Sequence, residues 1–282
     1  MASIPLAIAD NLLSSVKIPP QPEVLIALQN ELDKEYPNIQ IIAAIIVRDS
    51  SLYSSVLRII NSPYFGMRSE IKSIPHAISL IGLDNLVTNI ACIKFRDLMK
   101  QKGHVPMPRY WDSSVDTAKL CGYLAKELNI ASSAEAYNVG LFADAGITIL
   151  AQRYEDYKDV LIQQNESDLD CFTEVEEQRY NTTHCIVSHL MSKKWGMHQR
   201  LRDAVLYHHD LDYIINDKYE FDQETRKLIL IQKMAEHVAN KKRDEPDFEW
   251  QKVQEFALHF LGLSEHDYED LSHGMLDFLA NV

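Results

Sequence analysis

Residues 136–150 read AYNVGLFADAGITIL, an apolar run in which Asp144 is the lone charged side chain. Apolar residues recur there at helical spacing, without the strict alternation of a strand. A carboxylate inside such a run is costly unless something pairs with it. The candidates downstream are His184 and the adjacent pair His208 and His209. Carboxylate and imidazole together make either a metal site or a polar cluster in which the carboxylate accepts imidazole N–H bonds.

The same helical period extends outward in both directions, so the chain reads as all-α. Pro19, Pro20 and Pro22 punctuate the start, and helices are predicted at 23–32, at 39–48 behind an Asn38 cap, and from Ser50 or Ser51 to Ile60. The stretch 61–66, NSPYFG, is a break. Ser73 begins a short helix that ends at Gly82, and Asp84 caps one reaching Met99. Residues 101–108, QKGHVPMP, form the candidate boundary between two helical halves. Beyond it helices are predicted at 111–128, 133–153, 154–164, 169–180, 182–195, 199–209, 223–240, 248–261 and 265–279, with Gly196 at a C′ position and Ser264 at an N-cap.

At 282 residues the chain is long enough for a sizeable core. Its 46% hydrophobic and 24% charged residues argue against long disordered segments, and only 9 glycines suit long helices with few tight turns. A net charge of −13 argues against direct nucleic-acid binding and against attraction to anionic lipid. Cys92, Cys121, Cys171 and Cys185 show no C-x-x-C spacing and read as reduced thiols of a cytoplasmic protein. The N-terminus lacks a basic leader, and no apolar run is long enough to span a bilayer, so no membrane partner is expected.

Two sets of motifs carry a family resemblance. In the first half they are IPPQPEVLIAL at 18–28 and IIVRDSSLYSSVLRIINSPYFGMRSEIKSIPHAISLIGLDNL at 45–86. In the second they are Trp111, Gly140 with Leu141, Asp144 with Gly146, His184, Trp195 and the His208–His209 pair. In order and spacing they resemble the HDOD domains, relatives of the HD superfamily of metal-dependent phosphohydrolases. The resemblance covers about 18–240. It implies two helical subdomains: an N-terminal bundle at 18–100 packed on an HD-like core at 105–240. A helix at 1–17 would precede them and a helical extension at 241–282 would follow.

The departures bear on function. Where the related hydrolases carry a first histidine after the tryptophan, this chain has Ser113; the histidine of the HD dipeptide is Ala143; the lysine that often follows is Ile147; and the late aspartate corresponds to Glu236. One of the family's two ion sites has thus lost both imidazoles. The other corresponds to Asp144, His184, His208 and His209, which would take one divalent ion such as Fe, Mn, Zn or Ni. Adjacent helical side chains point about 100° apart, so His208 and His209 can share an ion only near a helix end.

No catalytic residue and no organic cofactor is assigned. The resemblance implies a bacterial regulatory or signal-transduction module that binds a signalling protein or a nucleotide, against the alternative of a residual metal-dependent phosphohydrolase acting on a phosphate ester or nucleotide. Partner contacts are expected on the first half, near Tyr64, Phe65, Met67 and Arg68; if buried, the aromatic pair would instead wedge the two halves together. The C-terminal helices either cover the core or offer a homodimer surface.

Overall fold

A computed structural model describes residues 18–65, 69–99, 107–166, 171–216 and 222–281. The expected helix at 1–17 lies outside them, as do Met67, Arg68 and the side chain of Tyr64. The described residues are helical and contain no strand. The first half comprises α1 (Glu23–Leu32), α2 (Ile39–Val47), α3 (Ser50–Ile60), a 3₁₀ turn (Pro63–Phe65), α4 (Ile74–Ile81) and α5 (Leu83–Met99). The second comprises α6 (Met107–Leu128), α7 (Ser133–Phe142), α8 (Ala145–Arg153), α9 (Tyr157–Glu166), α10 (Glu174–Tyr180), α11 (His184–Lys194), α12 (Gln199–Tyr207), α13 (Leu211–Ile215) and α14 (Gln223–Lys242). Helices α15 (Phe248–Leu261) and α16 (Glu265–Asn281) complete it.

Local chemistry sets many of these ends. Asn38 caps α2 by accepting from the Gln40 and Ile41 amides, and Ser73 caps α4 through the His76 amide. Ser264 and Asp267 exchange hydrogen bonds across the first turn of α16. Gly196 follows α11 at φ +69°, a conformation that favours glycine. Helix α3 is capped by Asp49, which accepts from Leu52, rather than by either serine. Asn61 reaches farther than its own helix end, donating to the Ile71 carbonyl at 2.8 Å and accepting from the Ile71 amide at 2.6 Å.

The largest departure from the sequence reading falls in the stretch that began it. The helix predicted over 133–153 is two helices, α7 and α8, meeting at Ala143 and Asp144. Ser188 on α11 takes up the backbone groups left at the junction: its Oγ accepts from the Gly146 amide at 2.8 Å and donates to the Ala143 carbonyl at 2.9 Å. A long-range side chain thus satisfies what an unbroken helix would have satisfied locally.

The two halves share one core. Phe95 on α5 packs its ring against Trp111, Phe142 and Trp195, all from the second half, at centroid separations of 6.1, 5.3 and 5.9 Å. The proline-rich opening is tied down beside it, because the Trp195 indole donates to the Pro19 carbonyl. Phe65 is buried and packs on Tyr137 of α7 at 5.8 Å. This corrects its assignment as a partner contact: the side chain wedges the halves together and has no free face.

The C-terminal helices cover the core. Trp250, Val253 and Met275 are buried, and Tyr123 of α6 packs on Phe278 at 4.9 Å. No single helix among the described residues is long and apolar enough to cross a membrane.

Candidate metal centre and cleft

The junction between α7 and α8 places Asp144 at the N-cap of α8, where its side chain makes no capping bond and is free to turn toward α11 and α12. His184 opens α11 behind the Thr183 cap. His208 and His209 stand at the end of α12, before Asp210 caps α13. The helix end separates the two adjacent histidines as the spacing required, with ring centroids 4.1 Å apart.

Asp144 touches two of the other three expected residues. Asp144 Oδ1 lies 3.4 Å from His184 Nε2 and 3.3 Å from His208 Nε2. One donor atom from each of His184, Cys185, His208 and His209 lies within 4.8 Å of every other, and all four residues are buried. Asp144 flanks that set from the cleft side.

Each imidazole is held by a partner on Nδ1. His184 Nδ1 faces the buried Glu176 carboxylate at 2.9 and 3.0 Å, and Glu176 also accepts from the His184 amide at 2.8 Å and from the Tyr157 hydroxyl. His208 Nδ1 lies 3.0 Å from the Val205 carbonyl. His209 Nδ1 lies 2.6 Å from Glu249 Oε2. The Glu176 carboxylate and the Val205 carbonyl only accept, so Nδ1 of His184 and of His208 carries a proton, and both rings turn Nε2 toward Asp144. His209 Nδ1 lies between Glu249 and the Lys233 ammonium, which is 3.0 Å away. Outer carboxylates that fix the tautomer in this way are the usual companions of imidazole ligands.

Charge inside the cluster follows from these contacts. Burial opposes ionisation of Asp144, but hydrogen bonds from His184 and His208 outweigh it and hold the carboxyl well below its usual range. Burial also opposes a charged His208, yet Cys185 and Asp144 raise its pKa to about 9. Cys185 is pushed up by burial and pulled down further by His184 and His208, ending at about 7. His209 runs the other way. Burial, with the Lys233 ammonium beside it, drives its pKa well below the ordinary imidazole value. Lys233 is itself buried and pairs with Glu249 at 2.8 Å and Glu236 at 3.2 Å.

A cleft of about 450 Å³ opens over Asp144. Its wall carries Ser113, Ile147 and Glu236, three of the positions where this chain departs from the hydrolase pattern, and its rim carries Arg109, Lys158 and Arg243. The missing imidazoles therefore leave a space without a second ligand set. Ala143, the position of the HD histidine, is buried. The residues present fit a single ion, which His184, His208 and His209 would hold, with Cys185 and Asp144 beside them. Such an ion would act as a Lewis acid or lower the pKa of a bound water.

Sequence reasoning missed Cys185, Glu176, Lys233 and Glu249. The first was signalled by its place directly after His184; the others act from positions that no short spacing links to the histidines.

The comparisons agree with this architecture. The chain aligns over 98% of its length with an HDOD domain protein of unknown function from Geobacter sulfurreducens, covering 95% of that chain at a TM-score of 0.69 and 22% identity. A candidate metal-dependent phosphohydrolase from Shewanella amazonensis SB2B aligns over 96% of this chain and 97% of its own, with a TM-score of 0.65 and 17% identity. An uncharacterized Bacillus subtilis protein, YuxH, is 35% identical over 116 residues, which are 41% of this chain and 28% of that protein. A match at 23% identity to an uncharacterized Treponema pallidum protein spans 70% of this chain and 38% of that one, so the chain spans well under half of both relatives. The HDOD domain profile matches residues 18–211, more than two thirds of the sequence, and the chain belongs to the HDOD domain family.

Proposed function

We propose that this chain is a regulatory signal-transduction module that works by binding a partner protein through its first half, without phosphohydrolase turnover. The observation that carries this reading is the distribution of exposed large hydrophobic residues. Of the eight among the described residues, Ile26, Tyr36, Ile39, Ile41, Val47, Leu80 and Leu98 lie in the first half, and only Ile162 in the second. The first half holds none of the metal-type ligands. Five of the seven, Ile26, Tyr36, Ile39, Ile41 and Val47, lie on α1, on α2 or in the turn between them, and apolar surface concentrated in one region marks interaction sites. Catalysis is disfavoured because Ser113 and Ile147 bring neither an imidazole nor an ammonium to the cleft. Tyr64, Met67 and Arg68 fall in the same half of the sequence, and a second copy of the chain is one partner this reading admits.

The test pairs capture with turnover. Ile41→Lys together with Val47→Lys should leave the fold intact by circular dichroism and weaken capture of the native partner from its own cells. Hydrolysis of phosphodiesters, cyclic dinucleotides or nucleoside phosphates should stay at the buffer blank with Mn, Fe, Ni or Zn added. Turnover that disappears in Asp144→Ala would overturn the reading. It would favour the residual hydrolase, for which the clustered donor atoms of His184, His208 and His209 are the supporting observation.

A further inference from the structure

Cys92 and Cys121 are buried within helices and Cys171 precedes α10, but Cys185 stands second in α11, against two imidazoles. We propose that the Cys185 thiolate is a metal ligand, forming with His184, His208 and His209 a one-ion centre of three nitrogens and one sulfur, with Asp144 at its cleft side. The ion such a set takes is borderline-soft, of the zinc and cobalt kind rather than magnesium or manganese.

Distances carry the argument. The donor atoms of the four residues lie within 4.8 Å of one another, so a small contraction closes them around one point. Cys185 Sγ lies 3.5 Å from His184 Nε2. At ordinary zinc–nitrogen and zinc–sulfur lengths, a tetrahedral ion sets those two ligands about 3.5 Å apart. Neighbouring residues on a helix normally diverge, and the 3.5 Å approach of these two shows that their side chains fold back toward one point.

The imidazoles are already oriented. Glu176 and the Val205 carbonyl hold Nδ1 of His184 and His208, and Glu249 with Lys233 holds Nδ1 of His209, so the rings are fixed. An ion takes Nε2 of His184 and His208 in place of the proton each shares with Asp144. Loading the ion displaces the thiol proton and any proton on the Nε2 atoms to solvent, so the bonds formed are to the metal and the charge lost is carried by protons. An ion seated this way would be buried on the protein side and would face the cleft where Asp144, whose side chain is 27% exposed, and His209 line it. The centre goes beyond the partner-binding reading and does not depend on it.

Cobalt reports sulfur directly, since a thiolate bound to Co(II) gives an intense near-ultraviolet charge-transfer band that nitrogen and oxygen ligands do not. The full chain, stripped with chelator and titrated with Co(II), should develop that band to saturation at one ion per chain. In Cys185→Ser the band should vanish while the weaker visible bands persist. Zinc affinity, read by competition with a chromophoric chelator, should fall by more than the roughly 10–100-fold that loss of an outer partner costs. Should the variant fail to fold, X-ray absorption on the unaltered zinc-loaded chain decides, with one sulfur expected at about 2.3 Å. Cobalt bound without the band, a band that survives Cys185→Ser, a shell of nitrogen and oxygen alone, or no ion retained would each overturn the centre. The capture experiment is unaffected by any of these results.

Discussion

Gly146 lies so close to the first turn of α11 that a Cβ on it would sit 2.1 Å from the carbonyl oxygen of His184. Backbone against backbone leaves no flexible end to move aside. Gly146→Ala should therefore force α8 away from α11 and destabilise the fold by about 1–3 kcal/mol, despite alanine's better helix propensity. Urea denaturation checks this, and an unchanged midpoint would mean that the contact is looser than described.

His208 supplies a pH dependence. Its pKa is raised to about 9, burial opposing the charge and Cys185 and Asp144 favouring it. A histidine raised above its unfolded value of about 6.5 stabilises the fold fully below that value, and the contribution is lost as pH rises through the folded value. In chelator-treated protein the denaturation midpoint should thus decline from about pH 6.5 to about pH 9, because His184, also raised, adds to the loss and outweighs the Cys185 thiol, which is lowered to about 7 and works in the opposite sense. Asp144→Asn should flatten the decline. A midpoint that rises across this window would contradict the charge assignment.

Metal content should not exceed one ion per chain, because the cleft wall at Ser113 and Ile147 offers no second set of ligands. Elemental analysis after purification without chelating resin measures it. Two tightly held ions would mean that Glu236, which lines the same cleft, has recruited the second.

Phe65 is expected to act as a core residue. Replacement by alanine removes a buried ring from between the halves and should cost about 3–5 kcal/mol, read as a lower thermal midpoint. A variant with wild-type stability but poor partner capture would return the residue to the interaction surface.

Much of the centre was legible because residue type carried it. Asp144 in an apolar run, with His184, His208 and His209 at family-like separations, needed only the fold to bring them together. The helix break beside Asp144 was hidden: residues on both sides favour helix, and the groups that relieve the break belong to Ser188, far along the chain. Glu249 was hidden for the same reason, lying 40 residues from the histidine it holds.

That long reach predicts a strong effect at Glu249. Removing its carboxylate leaves the buried Lys233 ammonium with Glu236 as its remaining carboxylate and His209 Nδ1 with Lys233 in place of its acceptor. Breaking such a pair from one side costs about 3–5 kcal/mol, so Glu249→Ala should unfold at a markedly lower urea concentration than wild type. Equal midpoints would show that water takes the place of the carboxylate.

The reach of Glu249 also bears on how the domain can be cut. The family pattern ends at residue 211, two residues after the histidine pair, whereas the lysine and carboxylate that seat His209 come from α14 and α15. A fragment trimmed to the recognisable family boundary would strand both histidines at a raw edge and uncover the apolar flank of α6. Its failure to bind metal or partner would then report the trimming and not the protein, and the smallest unit worth dissecting runs on through α16.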